Sequence, residues 1–60
     1  MKLTLAFVRT ELRQLKLVIT HVDDEYRVNF RNGREATAYY TNDLQDALDT
    51  GQAMAKTFCP

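Results

Sequence analysis

Asn32-Gly33 is the feature that most restricts what this chain can fold into. Before it, Tyr26, Val28 and Phe30 interleave with Arg27, Asn29 and Arg31; after it, Ala36, Ala38 and Tyr40 interleave with Thr37 and Tyr39. Asn-Gly between alternating segments is a strong hairpin signal. A two-residue loop would pair Phe30 with Glu35 and Val28 with Thr37, bringing the alanines onto the face of Arg27 and Asn29. A three-residue loop, Arg31-Asn32-Gly33, pairs Phe30 with Arg34, Val28 with Ala36 and Tyr26 with Ala38. Every even-numbered side chain then shares one apolar face. Strand side chains alternate with a period of two, so a one-residue slip turns a strand inside out. The three-residue loop is preferred, and it predicts a positive φ at Gly33.

The flanking segments can be placed around that hairpin. Leu5, Val8, Leu12 and Leu15 recur at helical spacing and form one stripe, with Thr4 as a possible cap. This predicts a helix over 4–15. A strand over 2–8 competes, because Leu3, Leu5 and Phe7 alternate with Lys2, Thr4 and Ala6. Leu17–Val22 is rich in β-formers and ends at the turn-forming run Asp23-Asp24-Glu25. A two-residue turn there sends Leu17, Ile19 and His21 to the core; a three-residue turn sends Val18, Thr20 and Val22. The first is preferred, because Leu17 and Ile19 are bulkier. Strands follow over 26–31 and 35–41.

Asn42 with Gln45 reads as a capping box opening a last helix. Its face is Leu44, Ala47, Leu48, Gly51, Met54, Ala55 and Phe58. The expected fold is therefore α+β: a helix, a three-stranded antiparallel meander and a helix, an αβββα two-layer sandwich. Its core is expected to hold Leu5, Val8, Leu12, Ile19, Val28, Phe30, Ala38, Tyr40, Leu44, Leu48 and Phe58.

Sixty residues make one small domain, 1–60, which buries only about 60 % of the surface its unfolded chain exposes. Chains this short often rely on disulfides, metals or self-association. The single cysteine, Cys59, cannot form an internal disulfide, and with one histidine it makes a poor metal set. A homo-oligomer is the expected support. The formal net charge of zero favours association and argues against a nucleic-acid binder, which usually carries a basic excess. No apolar run is long enough for a membrane span, and the opening Met1–Val8 is too short for a signal peptide. The expected setting is cytoplasmic.

One sheet face is left without a helix. It should carry Arg27, Asn29 and Arg31 with Glu35, Thr37 and Tyr39, joined by Val18, Thr20 and Val22. Solvated antiparallel faces are common. The mixture of valine, tyrosine and arginine also suits a protein interface, so Val18, Val22, Arg27, Asn29, Arg31, Thr37 and Tyr39 are the candidate contact residues. Arginine and tyrosine there would also suit nucleic acid, a less favoured reading that would use Arg27, Arg31, Arg34 and Tyr39.

The other features have plainer explanations. The row Asp43, Asp46, Asp49 is expected to be a solvated helix edge, with a basic partner as the alternative, and Asp23-Asp24-Glu25 a polar turn rather than a calcium loop. His21 lacks a partner for catalysis or metal binding. The stripe Ala47, Gly51, Ala55 suggests close packing on the sheet or the first helix, contact with a partner's helix, or an early helix stop at Gly51.

The inferred order resembles that of double-stranded-RNA-binding domains. The likeness is one of topology alone. The segment matching that family's lysine-rich second-helix start reads Asn42-Asp43-Leu44-Gln45-Asp46, and the first strand loop reads Asp23-Asp24-Glu25. No binding residue carries over, so RNA binding is not implied. In size and style the chain is similar to short bacterial proteins of mobile elements. The expected function is a non-enzymatic protein-interaction module, an adaptor or regulator that self-associates, with no catalytic residue, metal or cofactor. The alternative is a nucleic-acid-binding accessory protein.

Overall fold

The computed structural model describes residues 3–58, without the side chain of Phe58. In chain order the elements are α1 (Leu5–Gln14), β1 (Leu17–Val22), β2 (Glu25–Phe30), a 3-10 turn (Glu35–Thr37), β3 (Tyr39–Thr41) and α2 (Leu44–Phe58). The sheet is antiparallel in the order β1-β2-β3. Both helices pack on one face of it and on each other, giving the expected α+β sandwich.

α1 begins at Thr4, whose Oγ1 accepts from the Phe7 N–H at 3.2 Å. That satisfies one of the amide donors left free at a helix start. The helix stops at Leu15, and Lys16 reverses the chain with φ 64°. Its N–H closes the last turn on the Arg13 carbonyl at 3.0 Å. A lysine in this left-handed conformation is costly, by roughly 1–2 kcal/mol. β1 and β2 join through the tight turn Asp23-Asp24, with Val22 opposite Glu25 and Asp23 at φ 55°. Aspartate tolerates that region better than most residues. The two-residue turn sends Leu17 and Ile19 into the core and leaves Val18, Thr20 and Val22 outside. His21 is exposed and stacks on its cross-strand neighbour Tyr26, with ring centroids 4.9 Å apart.

Val8, Leu12, Leu17, Ile19, Val28, Ala47 and Leu48 are buried together, and Leu5, Tyr26, Phe30 and Leu44 pack around them. Burying one such aliphatic side chain contributes about 1.5–3 kcal/mol. Two expected core residues are displaced: Tyr40 is 42 % exposed and Ala38 is only half-buried. The expected contribution of Phe58 lies outside the described side chains, as does Cys59.

The cause is the register of β3. Val28 pairs with Tyr39, Arg27 with Tyr40 and Tyr26 with Thr41, not with Ala36 and Ala38 as the three-residue loop required. The shift is by an odd number of positions, so it inverts the strand. Tyr39 and Thr41 face the helices, and Tyr40 faces out. Asn32 still lies in a turn, closed by the Gly33 N–H on the Phe30 carbonyl at 2.9 Å. The chain then runs wide through the 3-10 turn rather than returning as a strand.

Gly33 does not have a positive φ. Its requirement is space. A Cβ there would lie 2.9 Å from both Asn29 Cγ and Thr37 Oγ1, and would overlap Asn29 Oδ1. Asn29 is only 2 % exposed and is held by hydrogen bonds, so it cannot swing aside. Gly33→Ala should therefore destabilise by about 1–3 kcal/mol, as overpacking does. Urea unfolding measures this; a variant as stable as the parent would remove the steric account.

α2 is capped by Asp43, not Asn42. Asp43 Oδ1 accepts from the N–H of Gln45 at 2.8 Å and of Asp46 at 3.3 Å. The carboxylate also suits the positive end of the helix dipole. Gly51 lies inside the helix and does not end it.

Candidate functional site

The face of the sheet opposite the helices carries Val18, Thr20 and Val22 from β1, Arg27 from β2 and Tyr40 from β3. Val18, Val22 and Tyr40 are 41 %, 44 % and 42 % exposed. One carboxylate organises its polar part. Glu35 Oε1 accepts from Arg27 Nη2 at 3.0 Å and Nε at 3.3 Å, and Oε2 accepts from the Tyr40 hydroxyl. The Tyr40 hydroxyl and then Arg27 hold the Glu35 carboxyl below its usual range, and Glu35 pushes the Tyr40 hydroxyl upward. These groups are solvent-facing, so the pairing fixes side-chain geometry more than it adds stability.

The candidate contact residues divide accordingly. Val18, Val22 and Arg27 lie on the open face as expected. Asn29 points to that side too but is buried, because the segment Arg34–Thr37 folds over it. Its Nδ2 donates to the Arg34 carbonyl at 3.0 Å. Its Oδ1 accepts from Phe30 N–H at 2.8 Å and lies 2.6 Å from the Thr37 hydroxyl. Asn29 and Thr37 thus brace the loop rather than offer themselves to a partner. Arg31 is exposed in the turn beyond β2. Tyr39 lies on the helix side, where its hydroxyl donates to Asp46 Oδ2 at 2.6 Å. Asp46 is accordingly not a solvated edge: Tyr39 and then Thr41 hold its carboxyl below the usual range. Tyr40 takes the exposed position expected for Tyr39. The hint was the pairing of a tyrosine with a carboxylate three residues into α2.

Sequence order concealed a second feature. Arg9 and Arg13 on α1, Lys16 in the reversal and Arg31 beyond β2 line one groove of about 550 Å³ with Leu17, Val18, Ile19 and Thr20. Arg9 and Arg13 are four residues apart, hence on one helix face. Four consecutive strand residues border the groove, so it runs along the free edge of β1 rather than over one face. None of the four cations is in an ion pair among the described residues, where the recorded pair is Arg27–Glu35. At the other end of the same edge lie the exposed acids Asp23, Asp24 and Glu25. The neutral chain is therefore polarised along β1.

Among the described residues, no three His, Cys, Asp or Glu side chains converge in a way that would hold a metal ion. No helix there is long and apolar enough to cross a membrane. Comparison with known proteins gives no matching family model, curated protein or solved structure.

Proposed function

We propose that this chain is a non-enzymatic protein-interaction module, a cytoplasmic adaptor or regulator that acts as a homo-oligomer. The observation that carries this reading is the uncovered sheet face, on which Val18, Val22 and Tyr40 are exposed beside an Arg27–Glu35–Tyr40 cluster of fixed geometry. Aromatic, aliphatic and arginine side chains in this mixture are those enriched where protein surfaces meet. The short chain gains from any apolar area that association removes from water. A single cysteine suits a reducing compartment, where small proteins are not stapled by disulfides. Sedimentation of the unmodified protein tests the reading. A dimer or larger species is expected at high micromolar concentration, and Val22→Lys should shift it toward monomer while circular dichroism stays native. A clean monomer in both would end the self-association part.

The basic groove favours a second reading, binding of a nucleic acid through Arg9, Arg13, Lys16 and Arg31. Retention on immobilised nucleic acid that falls steeply with added salt would favour it. The set differs from the one read from the sequence, since Arg27 is engaged by Glu35 and Tyr39 is turned toward α2.

A further inference from the structure

We propose that β1 pairs antiparallel with β1 of a second copy about a two-fold axis at Thr20, joining the two sheets into one of six strands. The inference rests on the interaction-module reading above and specifies its contact.

Three observations lead to it. First, β1 is a free edge, and its own six residues carry no proline, bulge or charged side chain, the flanking cations lying at one end only. Natural edge strands are usually blunted by shortness, proline, a bulge or a charge. β3, at the other edge, is three residues long. β1 has six, reads Leu-Val-Ile-Thr-His-Val, and pairs with β2 without a break in register.

Second, the directions of its backbone groups are fixed. Arg31 N–H donates to the Lys16 carbonyl at 3.2 Å, so the even-numbered positions of β1 face β2. The N–H and C=O groups of Leu17, Ile19 and His21 then project from the free edge. With Thr20 on the axis, Ile19 lies opposite His21 of the second copy, and these two exchange hydrogen bonds. Val18 lies opposite Val22 of the second copy, at a non-hydrogen-bonded position where facing side chains come closest. The two exposed valines thus cover each other on the open face.

Third, the charges match in this arrangement. Antiparallel pairing brings the basic end of one edge, with Arg13, Lys16 and Arg31, against Asp23-Asp24-Glu25 of the other. Lys16 and Asp24 lie just past the paired Leu17–Val22 span, and this register brings the Lys16 reversal of one copy beside the Asp23-Asp24 turn of the other, twice by symmetry. An axis one residue earlier, at Ile19, would put Lys16 opposite Val22 and leave Asp24 unopposed. A wholly acidic strand or a polyanion would satisfy the basic half but meet repulsion at the acidic half. A second copy satisfies both.

The test is charge exchange. Lys16→Glu and Asp24→Lys are each expected to weaken dimerisation roughly tenfold or more, since each variant places two like-charged contacts in the dimer. Lys16→Glu keeps a Cβ at the same backbone position and adds no new strain there. The double variant should regain most of the parent affinity. In a Cys59→Ser background, Thr20→Cys should oxidise to a covalent dimer. Facing Cα atoms at a non-hydrogen-bonded pair lie about 4.5 Å apart, within disulfide reach.

Circular dichroism confirms that each variant is folded. A dimer untouched by the charge reversals and cross-linked through Tyr40→Cys instead of Thr20→Cys would overturn the edge pairing and leave self-association standing. A monomeric parent protein would overturn both. So would a monomer that binds immobilised polyanion and loses that binding in Lys16→Glu.

Discussion

Leu12→Ala is expected to lower stability by about 2–5 kcal/mol, the range for truncating a fully buried leucine. A chain of this length has a total stability on the order of 3–9 kcal/mol, so the variant should lose a large fraction of it. Leu12 is 0 % exposed and stands where α1, α2 and the sheet meet. On one side it belongs to the buried cluster with Val8, Ile19 and Val28; on the other it is pressed against Gly51 of α2. Deleting its isobutyl group removes contacts to all three elements at once. A helix kept in place by its neighbours cannot collapse fully into the gap. Urea unfolding followed by circular dichroism decides the matter. A cooperative transition with a near-parental midpoint would show that the helices are held by something other than this contact.

Periodicity over long segments made most of the architecture legible. The stripe Leu5, Val8, Leu12 and Leu15 marks α1, although Leu15 falls just past its end and is exposed, and the β-rich run after Lys16 marks β1, including the facing of Leu17 and Ile19. Leu44, Ala47 and Leu48 marked the buried side of α2. What failed centres, for a physical reason, on the stretch between Phe30 and Leu44, which also settles the places of Asn29 and Asp46. Apolar alternation at Ala36 and Ala38 points to a strand only if methyl groups can anchor one. They bury little area. Tyr39, with a ring to pack beneath α2 and a hydroxyl to bond Asp46, anchors more strongly, and it pulls the strand into the inverted register. The intervening residues are then stabilised by Asn29, whose amide meets the Arg34 carbonyl that a strand ladder would otherwise have to satisfy. A buried asparagine reaching across to a loop leaves no periodic trace in a sequence.

The candidate surface was legible only in part for the same reason. Val18, Val22 and Arg27 follow from the facing of β1 and β2, which the patterning of both strands carries. Tyr40 was missed and Tyr39 misplaced because both depended on the register of β3. The basic groove was invisible because its members come from α1, the reversal at Lys16 and the turn after β2. Only the pairing of β1 with β2, which sets Arg31 beside Lys16, brings them to one end of an edge. A net charge of zero hides such a separation, since it sums the two ends of β1.

Gly51→Val should destabilise by about 1–3 kcal/mol, the usual range for overpacking, even though glycine is the poorer helix former by roughly a few tenths of a kcal/mol relative to valine. Two opposing effects meet at this position. A side chain inside α2 would remove the entropic cost of glycine, but a Cβ there would lie 3.3 Å from Leu12 Cδ1 and would overlap Cδ2. Leu12 has no exposed direction in which to move, so the steric effect wins. The same reasoning gives a coupling that a simple propensity effect would not. In the Leu12→Ala background the obstructing methyl groups are gone, and the valine can occupy part of the space they leave. The double variant should therefore be at least about 1 kcal/mol more stable than the sum of the two single changes, as expected for residues in direct contact. Denaturant midpoints for the parent, the two single variants and the double variant provide the cycle. Strict additivity would mean that the helices separate enough to absorb the valine, and that the small stripe on α2 reflects something other than its approach to α1.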